Sequence, residues 1–308
     1  MSVAARAAPR AVCVTSSPAL RRALRRTLGA AGSQVEFHDS VASARTDDAA
    51  LVVVDEKVRR TLDRAQIEAL GRGAGLIVVG ESLENDDVVA AAHARGMNHL
   101  VGDGEDPDDA ELVVTSVKLL SGDIFGLEKY LAWGAKIGTR DVAGYEDKRE
   151  AMGVVCAYAK EVGARRPVIA KIESVVDELL MNALYDAPVV GGPREGLKGR
   201  AVLRWACDGR YFAVSVEDEY GALEKESILE HLARARLERG KPREVRPGDE
   251  AATNGAGLGL YFILSSVTRF IANVEPGKRT EVICLFDLKV SGRDADACAR
   301  SLHVFGRQ

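Results

Sequence analysis

The chain has 308 residues, which is long for one hydrophobic core and typical of two. Its 46% hydrophobic and 29% charged residues, with 9 prolines, exclude a disordered or fibrous chain and indicate a folded globular protein. The net charge of -4 offers no positive field for a polyanion, so nucleic acid is not an expected partner.

The apolar runs and the cysteines set further limits. No apolar run reaches the roughly 18 residues that span a bilayer, and residues 1–10 carry two arginines with no apolar signal core behind them. The 5 cysteines are scattered, with no C-x-x-C pair of the kind that binds zinc or does redox chemistry. We therefore expect a cytoplasmic protein without membrane insertion.

The first domain, residues 1–121, alternates short strands with amphipathic helices. After the apolar run 11–14, Leu20, Leu24 and Leu28 recur every fourth residue, which predicts a strand followed by a helix. Several of the strands are apolar on both faces, so we expect a doubly wound, five-stranded parallel sheet covered by helices. The predicted strands are 11–14, 34–37, 50–54, 75–79 and 98–101, and the predicted helices are 19–28, 40–44, 62–70, 86–95 and 112–120.

Asp55 follows the third predicted strand. In this position and in the order of strands and helices, about residues 10–120 resemble a response-regulator receiver domain, whose phosphorylated aspartate follows the third strand. The family's acidic pair is replaced by Thr15 and Ser16, and its lysine by Gly102. Aspartate phosphorylation needs Mg²⁺ held by several carboxylates, and hydroxyls bind so hard a cation poorly. The resemblance thus implies a pseudo-receiver that docks protein partners, with Asp55 at a vestigial phospho-acceptor position.

Residues 122–160 connect the two halves. They are apolar in stretches with helical spacing and are interrupted by glycines, which predicts a helical linker or a dimerisation element. A homodimer through this segment is therefore one of the states left open. None of the 5 histidines falls between residues 100 and 230, where a histidine kinase carries its acceptor helix, so autophosphorylation on histidine is not expected.

The most specific patterns lie in the last domain, residues 161–308. A helix predicted over 167–186 has apolar residues at helical spacing, so it is expected to pack on a sheet. It also carries Glu178 and Asn182, which stand four residues apart and therefore on one face. Taken alone, this pair is better explained as the exposed edge of an amphipathic helix.

Two further patterns follow in order. Runs of alternating polarity at 200–205 and 212–217 predict an antiparallel hairpin that leads into Asp218. Three glycines at alternate positions then precede a helix predicted over 261–271, and a turn with a strand is predicted over 276–286. Because glycine has no side chain, its backbone N–H at the positive end of a helix can approach a phosphate closely. The glycines are Gly255, Gly257 and Gly259.

In order and spacing these patterns resemble the GHKL superfamily, the ATP-binding domain of gyrase, a class of heat-shock chaperones, histidine kinases and MutL-type repair proteins. The resemblance covers about residues 150–290 and implies an α/β two-layer sandwich, the Bergerat fold, that binds ATP with Mg²⁺. It implies that Asn182 coordinates the Mg²⁺ and that Glu178 orients or deprotonates the attacking water or hydroxyl. It also implies that Asp218 accepts the adenine amino group and that Thr280 lies behind the adenine. The other cofactor-binding residues that it implies are Gly221, Gly255, Gly257, Gly259 and Leu260, under an ATP lid formed by residues 224–254.

Departures from the family pattern leave the function open between alternatives. Tyr220 and Ala222 stand where the family has glycines, and Tyr185 stands where kinases often have a basic residue. The sequence predicts a two-component-type signalling protein that binds ATP or ADP as a conformational ligand and docks partners through the pseudo-receiver. The alternative is an enzyme, either a weak ATPase or a serine or histidine kinase acting in trans, with Glu178 as general base. A third hypothesis is a scaffold that binds no nucleotide.

Overall fold

In a computed structural model the chain forms two compact units. The first comprises Met1–Ile124 and Arg300–His303, and the second comprises Phe125–Ala299 and Val304–Gln308. The structure describes residues 7–80, 86–102, 109–187, 199–230, 256–289 and 301–306. Both units combine helices with sheet strands, so the predicted mixed α/β class is confirmed.

The first unit is built on a parallel sheet. Its strands are β1 (Arg10–Val14), β2 (Gln34–His38), β3 (Leu51–Asp55), β4 (Gly75–Val79) and β5 (His99–Val101). Its helices are α1 (Pro18–Ala30), α2 (Glu56–Arg59), α3 (Arg64–Leu70), α4 (Asp86–Ala92) and α5 (Asp109–Ser121). The strands pair in parallel in the order β2-β1-β3-β4-β5, an order typical of doubly wound sheets.

Apolar residues on both faces of the strands form this sheet. Strand β3 is buried along its whole length, and Leu20, Leu24 and Leu28 of α1 pack into the same core. The short helix predicted at 40–44 is a single 3₁₀ turn, Val41–Ser43. A further strand, Ser301–Gly306, was not predicted, and its Leu302 and His303 pair antiparallel with β5.

The second unit is built on an antiparallel sheet. Its strands are β6 (Gly138–Val142), β7 (Ala201–Cys207), β8 (Tyr211–Asp218), β9 (Arg269–Glu275) and β10 (Arg279–Asp287). Its helices include α6 (Tyr145–Glu161), α7 (Arg166–Met181) and α8 (Ala256–Ser266). The strands lie in the order β9-β10-β8-β7-β6, and each neighbouring pair is antiparallel.

Helix α7 joins the sheet to the other helices of this unit. Its buried face packs on β8 and β10, at the helical spacing that the sequence predicted. Helix α6 packs along α7, where the buried Lys148 Nζ lies 2.7 Å from Asp177 Oδ1. The buried apolar residues of α7 are Ile172, Val175, Val176, Leu179 and Leu180.

Residues 122–160 differ from the predicted helical linker. Part of the segment is the edge strand β6, and α6 forms its helical part. Gly138 of β6 lies directly against the indole ring of Trp205 on β7. A Cβ at position 138 would overlap this ring, so the contact requires glycine. A glycine that looked like an interruption between helices therefore serves the packing of a strand.

The helix predicted over 261–271 is also shorter than expected. Helix α8 ends at Ser266, and β9 begins at Arg269. Six consecutive residues of β9 are buried, so the strand shows no polar alternation. Because Arg269 and Asn273 are buried together with the apolar residues, the periodicity of this stretch does not distinguish the strand from a buried helix.

The first residues of the second unit form a strap, residues 125–131, against the sheet. Phe125 is buried beneath Arg279, whose guanidinium carbon lies 3.7 Å from the ring centroid. The Gly126 N–H donates a 2.8 Å hydrogen bond to Glu281 Oε2, and Asn273 Nδ2 donates to the same oxygen at 3.0 Å. Glu281 is fully buried, so its carboxylate is the polar anchor of the strap.

Replacing Glu281 by alanine is expected to destabilise the second unit by about 1–3 kcal/mol, because the buried Gly126 N–H would lose its acceptor. Glu281→Gln keeps an acceptor oxygen in place, so it should retain most of the stability and serves as the matched control. Urea unfolding followed by circular dichroism measures the difference. Equal stability of the two variants would show that the hydrogen bond does not anchor the strap.

Candidate functional site

One cavity of the second unit collects residues from several of the predicted motifs. Its volume is about 210 Å³, and it is partly open to solvent. Most of the wall is apolar, formed by Leu179, Ala183, Ala187, Val216, Ala222, Leu223, Leu260, Phe270 and Val282. The polar residues of the wall are Asn182, Asp186, Asp218, Ser227 and Thr280.

A π-turn at the end of α7 forms one side of the cavity. Asn182–Asp186 adopt this wider turn, and the Ala187 N–H bonds to the Asn182 carbonyl. Single π-turns of this kind are frequent at functional sites. Both Asn182 and Asp186 line the cavity, where Asn182 is half-buried and Asp186 is exposed to solvent.

Strand pairing places Asp218 and Thr280 side by side. The two residues are directly opposite each other in the antiparallel pair of β8 and β10. Thr280 is 2% exposed, and its Oγ1 has no hydrogen-bond partner in the described part of the chain. A buried hydroxyl is costly without a partner, so this atom has an unused capacity to bind a ligand.

Asp218 closes β8 with a tight local turn. Its Oδ1 accepts hydrogen bonds from the Tyr220 N–H at 2.8 Å and the Gly221 N–H at 3.4 Å. Burial raises the pKa of Asp218, although these amide hydrogen bonds act in the opposite direction. The carboxylate is therefore held in one orientation at the cavity wall.

Glu178 lies beside the cavity rather than in its wall. It is half-buried on α7, and its carboxylate is next to Gly259 of α8, where a Cβ would overlap Oε2. Burial, followed by the nearby Asp177, raises the pKa of Glu178, and Lys148 acts against this shift. The glycine motif and the Glu178 motif thus meet, because glycine leaves room for the carboxylate.

The other predicted residues have different positions. Leu260 lines the cavity, and Gly257 lies in the first turn of α8. Gly221 is not in the wall; its φ is 60°, and a Cβ there would overlap the Glu275 carbonyl in the turn between β9 and β10. Gly221 therefore has a packing role in this structure, and Tyr220 is likewise absent from the wall. Gly255 and most of the predicted lid, residues 231–254, lie outside the described residues.

Asp186 and Ser227 were missed by the sequence analysis. Asp186 stands four residues after Asn182, and this spacing was the available signal. The π-turn that brings it to the cavity leaves no local pattern in the sequence. Ser227 lies in a charged stretch after the motif that begins at Asp218. No local pattern there distinguishes Ser227 from residues exposed to solvent.

Metal binding in the cavity depends on the ligands that its wall supplies. Within the described ranges, no group of three or more His, Cys, Asp and Glu side chains is arranged to hold a metal ion. The Asn182 amide oxygen suits a Mg²⁺ ion that receives its remaining ligands from phosphates and water.

No helix in the described part of the chain has the length and apolar character needed to cross a bilayer.

In the first unit, Asp55 acts as a helix cap. Its Oδ1 accepts a 2.7 Å hydrogen bond from the Val58 N–H, and its Oδ2 accepts a 2.5 Å bond from Thr15 Oγ1. Asp55 is buried, and both carboxylate oxygens are engaged. Gly102, at the position of the family's lysine, donates its N–H to Ser301 Oγ at 3.1 Å.

No protein-family model matches the chain, and no curated protein matches it. Among solved structures, the chain is similar to one in the SiaB-SiaC complex from Pseudomonas aeruginosa, with 16% identity and a TM-score of 0.35, over 48% of this chain and 88% of that chain. It is also similar to the GCN5-related glucosamine N-acetyltransferase region of a fungal multi-domain GH3 β-N-acetylglucosaminidase. That match has 10% identity and a TM-score of 0.28, over 76% of this chain and 29% of the other.

Thr280→Val is expected to leave the free energy of unfolding unchanged or to raise it by up to about 1 kcal/mol, because the lost hydroxyl makes no hydrogen bond with the described residues. Thr268→Val is the matched control in the same unit. Thr268 Oγ1 accepts the Asp287 N–H at 3.0 Å, so its loss should cost about 1 kcal/mol. Urea unfolding of both variants tests this, and a larger loss at Thr280 than at Thr268 would contradict it.

Proposed function

We propose that the second unit binds ATP with Mg²⁺ in this cavity and that the protein uses the nucleotide as a conformational ligand in signalling. The observation that carries the proposal is the small set of polar groups in an otherwise apolar wall. Within the described residues the buried Thr280 hydroxyl has no hydrogen-bond partner, and the side chains of Asn182 and Asp186 line the wall and are open to solvent. An apolar cavity with a few convergent polar groups is the usual form of a small-molecule site.

The chemistry of the wall favours the nucleoside part of the ligand. Asp186 and Asp218 are acidic, and no lysine or arginine is among the wall residues that the structure describes. Such a wall repels phosphate and suits a planar, largely apolar base with a hydrogen-bond donor. The adenine amino group supplies that donor, which Asp218 would accept beside the Thr280 hydroxyl.

The phosphates then belong outside the apolar part of the cavity. The first turn of α8 offers backbone amides and the positive end of a helix, and Gly257 has no side chain to hinder the approach of a phosphate. Asn182 would hold the Mg²⁺, which when bound neutralises phosphate charge. The chain's own residues thereby orient the base and the metal separately.

For the first unit we propose a receiver-like docking role. The parallel strand order and the position of Asp55 at the end of β3 support this proposal. Asp55 would act there as a structural cap, since Thr15 and Val58 already engage both of its oxygens. A protein partner would bind this unit, and a homodimer through residues 122–160 stays a prediction.

A second candidate function is phosphoryl transfer or ATP hydrolysis. It is favoured by Glu178, whose half-buried carboxylate has a raised pKa and lies against α8. A general base needs a pKa closer to the working pH than that of a solvated carboxylate, and burial acts in that direction. The two functions share one nucleotide site and differ in whether Glu178 is used.

Isothermal titration of ATP in the presence of Mg²⁺ tests the binding proposal. The wild-type protein should bind, and Asn182→Ala should weaken binding about 10-fold or more, because the Mg²⁺ loses its ligand from the protein. In EDTA the two proteins should bind ATP with similar affinity. Thr268→Val, which alters a residue outside the cavity wall, is the control. Absence of binding to the folded wild-type protein would exclude both nucleotide functions.

A phosphate-release assay separates the enzyme from the binding protein. If the protein hydrolyses ATP, Glu178→Gln should lower the rate by about 100-fold or more while ATP still binds. Gly259→Ala should also lower it, because the new Cβ displaces the Glu178 carboxylate without removing it. Hydrolysis that is unchanged in Glu178→Gln would contradict this role for Glu178.

A further inference from the structure

We infer that Asp186 determines specificity in this cavity by accepting a hydrogen bond from the ribose hydroxyls of the nucleotide. The protein would thereby select a ribonucleotide over its dideoxy counterpart. The inference rests on the proposed nucleotide site and adds to it a contact for the sugar. It concerns a residue that none of the sequence motifs identified.

Asp186 occupies the rim of the cavity. It is the last residue of the π-turn, and it is exposed to solvent, whereas Asp218 is buried. Partial burial against the wall raises the pKa of Asp186. A partly desolvated carboxylate gains more from accepting a hydrogen bond than a fully hydrated one does.

The Asp186 carboxylate does not stabilise the fold through a contact with the described residues. Asp186 has no hydrogen-bond or ion-pair partner among the described residues, in contrast to Asp177 of α7, whose Oδ1 lies 2.7 Å from Lys148 Nζ. It also caps no helix, since the π-turn closes through the backbone atoms of Asn182 and Ala187. The carboxylate is thus available to a ligand in the cavity.

The chemistry of the nucleotide selects the ribose as the partner. The phosphates are anionic and are repelled by a carboxylate, and the base donor is taken by Asp218 in the buried part of the cavity. The ribose hydroxyls are donors of the ligand that Asp218 does not engage. In dinucleotide-binding folds an acidic side chain accepts a ribose hydroxyl by the same chemistry.

The test compares ATP with 2′,3′-dideoxy-ATP by isothermal titration against the full chain. The wild-type protein should bind ATP about 10-fold more tightly than the dideoxy analogue, because a hydrogen bond to a charged acceptor is lost. Asp186→Ala should weaken ATP binding by a similar factor and leave the analogue unchanged. Asp186→Asn retains a neutral acceptor and should lie between the two. Glu173→Ala removes an exposed carboxylate from the same helix and should change neither affinity.

Several outcomes would overturn the inference. It fails if Asp186→Ala weakens both nucleotides equally or weakens neither. It also fails if the loss of ATP affinity appears with Mg²⁺ and vanishes in EDTA, because Asp186 would then be a metal ligand. If the wild-type protein binds neither nucleotide, the proposed function falls as well. If ATP binds and Asn182→Ala weakens it, while the Asp186 variants do not discriminate, the inference alone is wrong.

Discussion

The register between β8 and β10 is the constraint on which the second unit depends. In this register Asp218 lies opposite Thr280, and Glu217 lies opposite Glu281. Because successive side chains of a strand point to opposite faces, the first pair lines the cavity and the second pair lies on the face of the strap. A slip of β10 by one residue would turn Thr280 away from the cavity and Glu281 away from the strap, so a glutamate would enter the apolar cavity and the strap would lose its anchor.

The polar groups on the two faces of this strand pair differ in their partners. On the strap face, burial and the neighbouring Glu281 raise the pKa of Glu217, and Arg204 lies within 4 Å of both carboxylates. The charges there are paired and serve the fold. On the cavity face backbone amides hold the Asp218 carboxylate, whereas the Thr280 hydroxyl has no hydrogen-bond partner in the described part of the chain. Polar groups that stabilise a fold have protein partners, so those without partners are the ones to examine for function.

Local patterns explain how much of this arrangement could be predicted from sequence. The strands of the first unit and the stripe of α7 were predicted because apolar residues at regular spacing mark them directly. The strand Ser301–Gly306 was not, since its partner β5 is about two hundred residues away in the chain. The motif residues of the cavity could be named one by one. The approach of Gly259 to Glu178, the packing of Gly221 and the turn that presents Asp186 depend on tertiary contacts that no short window contains.

The positions of the two tryptophans have a spectroscopic consequence. Both belong to the second unit: Trp205 is buried on β7 against Gly138, and Trp133 is fully exposed. Native emission is therefore the sum of a blue-shifted component shielded from quenchers and a red-shifted component open to them, and the first unit contributes no indole. An unfolding transition that appears in circular dichroism without a change in tryptophan emission can thus be assigned to the first unit.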